Sequence, residues 1–164
     1  MGKEKTIQLL ELLEKDATLS VEALAERLDV KPQEVLTAIG DLKDDGVILA
    51  TQAVINWDKE NEDKTNALIE VKVTPQKGIG FDKIAHEISK FPEVSAVYLM
   101  SGGYDFAVML ERKSVKEISR FVFEKLATLP SIASTSTHFI LRKYKDHQVV
   151  MDDTPEDKRI DRGL

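Results

Sequence analysis

The chain has no cysteine among its 164 residues, which excludes a disulfide, a thiolate metal ligand and a thiol nucleophile. No apolar run approaches the roughly 18–20 residues that cross a bilayer as a helix. The opening residues, Met1 to Lys5, are charged rather than signal-like. These absences fit a cytoplasmic protein with no membrane partner. Histidine is scarce: His86, His138 and His147 are scattered and make no metal-ligand spacing. No glycine-rich phosphate loop, nucleophile elbow or triad is present. No catalytic residue, metal or cofactor is therefore assigned. There is one tryptophan, Trp57, read as a packing anchor.

Apolar residues make up 42% of the chain, enough for packed cores, and 32% charge suits a solvated surface. The formal net charge is −6 and is unevenly spread. Residues 1–50 hold 6 basic and 11 acidic side chains, a balance of −5. Residues 51–144 hold 13 and 12, a balance of +1, and residues 145–164 hold 4 and 6, a balance of −2.

A repeat offset by 38 residues organises the second half. Ile88, Phe91, Pro92 and Val94 line up with Leu126, Leu129, Pro130 and Ile132. In each copy a helical pattern ends, a proline break follows and a β-rich run begins. Strand-like runs at Ala67–Thr74 and Phe106–Glu111 precede the helices. Strand, helix, strand, twice over, is the split βαβ plan of a ferredoxin-like domain. The expected helices are Phe81 to Lys90, facing inward through Ile84, Ala85, Ile88 and Phe91, and a second that Ser114 caps with Glu117 at capping-box distance. Pro75, Gly78 and Gly80 make a loop. The remaining strands are expected at Val94–Ser101 and Ile132–Lys143.

Strand two reads as apolar on both faces, with Val94, Ala96, Tyr98 and Met100 on one and Val97 and Leu99 on the other. Strand four reads similarly, with Phe139 and Leu141 opposite Ile140. Two helices cover only one face of a four-stranded sheet. A sheet-to-sheet homodimer is expected on the other.

The first segment reads as three helices. Ile7, Leu9, Leu10 and Leu13 recur at helical spacing from Lys3 to Lys15. Ser20 is an N-cap before a short helix faced by Leu24, Ala25 and Leu28. Pro32 opens the third helix at the position where its missing N–H is no loss. Val35, Ile39 and Leu42 line that helix's inner face, and Gly46 closes it. Val47 to Ile55 reads as extended, a wing or connecting strand. The plan is that of a helix-turn-helix, which lays one helix in the major groove. Any three-helix bundle would share the pattern. Boundaries follow at 1–50 for the helical domain, 51–66 for a hinge, 67–144 for the α+β domain and 145–164 for a charged tail. Val149 to Met151 is expected to dock, and the tail from Thr154 onward to be loosely ordered.

Three stretches carry a family likeness. They are Leu24-Ala25-Glu26-Arg27-Leu28 with Gly46-Val47-Ile48, then Val97 through Phe106, then Ser134 through His138. With a winged helix-turn-helix, a hinge and a ferredoxin-like βαββαβ domain, they make residues 3–144 resemble the Lrp/AsnC family of prokaryotic transcription regulators. The resemblance implies double-stranded DNA as a partner and a homodimer built by the C-terminal domains, commonly assembled into an octamer. It also implies a small effector, often an amino acid, bound in clefts between dimers.

The turn Ser101-Gly102-Gly103-Tyr104-Asp105 looks like the family's effector-binding turn. Its glycines would allow close approach and unusual dihedrals, their N–H groups would meet a carboxylate, and Asp105 would pair with an α-ammonium. Thr135 and Thr137 would add hydroxyls from the neighbouring strand. The alternative is a plain hairpin, with Asp105 capping its own backbone.

The helical domain departs from the family. The outer face of its third helix shows Gln33, Glu34, Thr37, Ala38 and Asp41 where relatives carry arginine or lysine. Only Lys31 and Lys43 are basic. The DNA-contacting set is thus Lys31, Gln33, Thr37, Ala38, Asp41 and Lys43. Phosphate contacts need cations, so DNA binding is expected to be weak, salt-sensitive and dependent on assembly. Two other readings stand: an enzyme resembling the siroheme decarboxylases, which share the two-domain plan, and a sensor acting through a protein partner.

Overall fold

The computed structural model describes residues 1–60, 63–74 and 80–151. The chain divides into two units, Met1–Ala53 and Val54–Leu164. The boundary falls inside the predicted hinge.

In the first unit, α1 (Lys3–Lys15), α2 (Val21–Leu28) and α3 (Pro32–Asp44) follow one another as the periodicity predicts. The Ser20 hydroxyl accepts from Ala23 N at 3.1 Å, capping α2. Asp29 takes the left-handed conformation at the turn, φ 50°, and Lys5 Nζ donates to its carbonyl at 2.7 Å. Pro32 is the first residue of α3, and Glu34 folds back to accept from Lys31 N at 3.1 Å. Gly46, at φ +68°, closes the helix. Its N–H bonds to the Lys43 carbonyl at 3.1 Å, while Val47 N reaches the Leu42 carbonyl at 2.8 Å. That crossed pair is a Schellman turn, which needs a residue tolerant of positive φ. Leu9, Leu24, Ala25, Leu28 and Val35 are the buried core.

No strand is assigned between Asp44 and Thr65 among the described residues. The predicted extended segment runs unpaired within a single chain, and Leu49 is 88% exposed.

In the second unit, β1 (Thr65–Val73), α4 (Phe81–Ser89), β2 (Val94–Leu99), β3 (Phe106–Lys113), α5 (Val115–Glu124) and β4 (Ile132–Ile140) build the expected βαββαβ domain. The sheet order is β2-β3-β1-β4, all antiparallel. The 38-residue repeat is visible in the hydrogen bonds. Phe91 N to the Ile88 carbonyl and Leu129 N to the Leu126 carbonyl are both 3.2 Å, and Val94 N to Phe91 and Ile132 N to Leu129 are both 3.0 Å. One turn is used twice to leave a helix and enter a strand. A short 3-10 helix, Leu126–Thr128, intervenes in the second copy. The Ser114–Glu117 capping box forms, with bonds of 3.2 and 2.7 Å.

The core lies between the helices and one sheet face, from Ala67, Ile69, Val71, Phe106, Val108 and Leu110 to Ile84, Ile88, Ile118 and Phe121. Phe91 meets Phe121 edge-on at 5.4 Å. Two strand expectations are corrected. The register shifts between Val94 and Ala96, so Val94 pairs with Leu110 and joins Val97 on the helix-covered side. A bulge of this kind reverses the alternation the sequence suggests. On β4, Phe139 pairs with Ala67 on the helix side, while Leu141 lies beyond the strand. The open face of β4 carries Ser134, Ser136 and His138, so that strand is not apolar on both sides.

β4 also stops three residues early. Lys143 instead bonds Glu111 at 3.0 Å and Asp146 at 2.8 Å. Burial lowers the Lys143 pKa, but its hydrogen bonds to Asp146 and Glu111 outweigh that and raise it. The hydrogen bond from Lys143 holds the Asp146 carboxyl below its usual range. A hairpin follows, β5 (Lys145–Asp146) against β6 (Val149–Val150), turning through His147 and Gln148 at φ 44° and 67°. Of the segment expected to dock, only Met151 does so, its N bonding the Tyr144 carbonyl at 2.9 Å and its carbonyl accepting from Asn56 Nδ2 at 3.1 Å, while Val149 and Val150 stay exposed. The expectations for Pro75, Gly78 and the tail from Thr154 lie outside the described residues.

Candidate functional site

The predicted effector turn closes the β2–β3 hairpin. Met100 N donates to the Asp105 carbonyl at 2.8 Å, and residues 101–104 bridge them. Ser101, Gly102 and Gly103 are exposed, and Tyr104 and Asp105 half-buried. Neither glycine has a positive φ, so the expectation of unusual dihedrals is corrected. A Cβ built on either meets nothing within 4 Å. The hairpin itself does not require glycine at these positions.

Asp105 is already engaged. Its Oδ2 accepts from Val73 N at 2.8 Å, and its own N–H donates to the Val71 carbonyl at 2.9 Å. The carboxylate ties the loop to the end of β1, a neighbouring strand rather than its own backbone. It thereby satisfies the Val73 N–H, which faces β3 beyond the last β1–β3 pair, Val71 with Phe106.

Thr135 and Thr137 are not on the strand beside the turn. β1 separates β4 from β3, and two strand spacings are roughly 10 Å. Both threonines pair with core residues, Thr135 with Val71 and Thr137 with Ile69, so they face the helix side. The shared feature is the sheet end: Thr135 and the turn both flank Val71.

The open sheet face carries Leu68, Glu70 and Lys72 on β1, Ala96 and Tyr98 on β2, Ala107 and Met109 on β3, and Ser134, Ser136 and His138 on β4. His138 Nε2 lies 3.4 Å from a Glu70 oxygen and 3.4 Å from the Ser136 hydroxyl. Periodicity alone does not flag this pair, because Glu70 and His138 are 68 residues apart and meet only through the β1–β4 register. His86 is on α4 and His147 in the β5–β6 turn, where it pairs with Asp146 at 2.9 Å. The three histidines serve three separate places.

Trp57 packs against a residue distant in sequence. It lies in a 3-10 helix, Trp57–Glu60, and the Arg112 guanidinium stacks 3.5 Å from its ring centroid. Arg112 sits at φ 52°, and its N–H donates to Asn66 Oδ1 at 2.9 Å. With Asn56 bound to Met151, this fastens the second half of the predicted hinge to the α+β unit.

Lys31, the N-cap of α3, and Gln33, Thr37, Asp41 and Lys43 on the helix are exposed. Ala38 is corrected: it packs against the helical core. It lies one residue before Ile39 and three after Val35, which puts it on the inner side of the helix. Thr37 Oγ1 donates to the Gln33 carbonyl at 2.9 Å. A shallow groove of about 370 Å³ between α1 and α3 is lined by Met1, Thr6, Gln33, Glu34, Thr37, Ala38, Asp41, Leu42 and Asp45. The sequence reading overlooked two outer residues: Leu36, 50% exposed, and Gly40, whose missing Cβ would meet nothing within 4 Å.

Residues 3–48 match a winged helix-turn-helix DNA-binding domain, and residues 66–150 match the Lrp/AsnC ligand binding domain. The HTH-type transcriptional regulator YugG of Bacillus subtilis is 42% identical over 158 residues, covering 96% of this chain and 95% of that protein. The proline dehydrogenase transcriptional activator of Rhizobium radiobacter is 27% identical over 140 residues, covering 85% and 89%. A transcriptional regulator from Neisseria meningitidis, solved as a complex with L-Met, superposes with a TM-score of 0.70 at 21% identity, covering 89% of this chain and 94% of that one. Two matched domains in the expected order, and a bacterial relative similar along almost the whole length, make this chain a member of the Lrp/AsnC family of DNA-binding transcriptional regulators.

Proposed function

We propose that this regulator senses an amino acid at the 101–105 turn, within an assembly of copies of itself. The carrying observation is the pair of exposed glycines. Gly102 and Gly103 have ordinary φ and free space where a side chain would stand. Their smallness therefore serves something that approaches from outside the chain. Their N–H groups suit a carboxylate, and Asp105 holds the loop that presents them. The L-Met bound by the Neisseria protein is a ligand of this chemical class. Of the two threonines only Thr135, at the same sheet end as the turn, is kept in the proposed surroundings.

The open sheet face supports homodimerisation, with Tyr98 exposed beside Ala96 and Met109. Higher assembly, to an octamer, would let many weak DNA contacts add. The acidic first domain makes that useful, since few cations are available to phosphates. No helix among the described residues is long and apolar enough to cross a membrane, and the assignment to the cytoplasm rests on the family's role in transcription.

Light scattering on a size-exclusion column, with each amino acid in turn, tests the reading. An assembly larger than a dimer whose size shifts with one amino acid is expected. A fixed size, with no ligand detected by calorimetry, would overturn it. It would also move weight to the protein-partner and siroheme-enzyme alternatives. A siroheme titration followed in the visible spectrum addresses the second.

A further inference from the structure

We infer that the homodimer takes up protons as it forms, through a Glu70–His138 pair on the open sheet face, and so tightens in mild acid. The inference rests on the reading that a second copy covers that face.

The strand register fixes what a covering sheet must meet. Ala96, Met109, Leu68 and His138 form one row across the four strands, and Tyr98, Ala107, Glu70 and Ser136 form the next. The first row is apolar until it ends in an imidazole. The second holds a carboxylate on β1, an inner strand, between Ala107 and Ser136. A sheet laid over the apolar positions therefore takes Glu70 and His138 out of water with them. On the single chain these side chains are 34% and 54% exposed, and an ion pair so placed adds little to the fold.

Covering the pair changes that balance. His138 Nε2 lies 3.4 Å from a Glu70 oxygen and 3.4 Å from the Ser136 hydroxyl. With the imidazole protonated, the pair carries no net charge and an N–H points at the carboxylate. With the proton gone, Glu70 is left as a lone anion under the second sheet. Burying an uncompensated charge costs far more than burying a paired one. No neighbour replaces the imidazole. Lys72 shares the face but stands opposite Ser134, is exposed, and makes no ion pair among the described residues. Glu111 on β3 is held by Lys143 at 3.0 Å. β2 contributes a phenol, Tyr98, and no formal charge. α4 and α5 pack on the opposite face. A second copy in a two-fold dimer brings only this same set. Histidine changes charge between about pH 5 and 8. The favourable pair is complete at the acid end of that window and is lost as pH rises through it.

Sedimentation equilibrium of the full chain at about pH 5.5 and pH 8, both above the carboxylate range, tests the inference. The dimer Kd should be lower at pH 5.5, by roughly tenfold for each of the two pairs. His138→Gln should abolish the dependence. Glu70→Gln should reverse its sign, since a protonated His138 would then be the lone buried charge. Where dilution does not reach the monomer, subunit exchange between two labelled populations gives the same comparison, slower at pH 5.5 than at pH 8. A dimer equally tight at both pH values, or a His138→Gln dimer with the wild-type dependence, would overturn the inference and leave dimerisation intact. A monomer at both pH values would instead overturn the homodimer reading on which it rests.

Discussion

Two glycine turns in this protein hold glycine for opposite reasons. Gly46 closes α3 at φ +68°, inside a crossed pair of hydrogen bonds to Lys43 and Leu42. Gly102 and Gly103 close β2–β3 without positive φ and with open space around them. The first glycine answers a demand of the backbone. The second pair answers no demand within the chain, and neither does Gly40. On the proposed reading, Gly102 and Gly103 leave room for a molecule that approaches the turn from outside the chain.

The contrast can be broken by substitution. Among the residues around these turns, Asp105 carries the largest expected loss. Asp105→Ala removes a charge-assisted acceptor from Val73 N, costing about 1–3 kcal/mol. Denaturant unfolding of the full chain, with an earlier midpoint for the α+β unit, would show it. Gly46→Ala forces a side chain into the left-handed region at roughly 1–2 kcal/mol. Its melt should fall in the helical unit. Gly102→Ala and Gly103→Ala should each change stability by no more than about 0.5 kcal/mol. A loss like that of Gly46→Ala would show that the second turn also serves the fold.

Acid sharpens the comparison with a third turn, between α4 and β2. Lys125 Nζ donates to Glu93 there, and this hydrogen bond leads the causes that hold the Glu93 carboxyl below its ordinary range, against the burial that would raise it. A carboxylate with a depressed folded pKa stabilises above its unfolded value, and that contribution is lost as pH falls through the folded one. Glu93 is partly exposed, so the effect is small. Glu93→Gln should reduce the acid sensitivity of the α+β unit, seen as a shallower fall in thermal midpoint between pH 5 and pH 3. The Gly46 turn is closed by backbone groups alone and should contribute no such dependence.

Most elements of both units were legible from periodicity, caps and the repeat. Ser20, Ser114 and Gly46 do what their positions suggest, and the shared turn at Phe91 and Leu129 was foreshadowed by the aligned prolines. What stayed hidden depends on register and distant partners. The bulge beside Val94 reverses its face, and no local signal announces it. Thr135 and Thr137 seemed adjacent to the effector turn because strand order is not written in chain order. Trp57 finds Arg112, 55 residues away, through a bulged backbone. The sequence leaves Asp105 open between a ligand's partner and a cap on its own backbone, and its carboxylate instead holds Val73 N on the neighbouring strand. Ala38 looked like an outer residue, although its spacing from Val35 and Ile39 turns it inward. Gly40 was passed over because a helical glycine reads as weakness until the space around it is seen to be empty.

The most direct measurement is operator binding by fluorescence anisotropy, with and without the responsive amino acid, for the wild type and the Gly102→Ala/Gly103→Ala variant. The account predicts that wild-type affinity shifts with the amino acid. The variant should melt at the wild-type temperature, bind DNA, and show no shift. A variant that responds to the amino acid as the wild type does would contradict it.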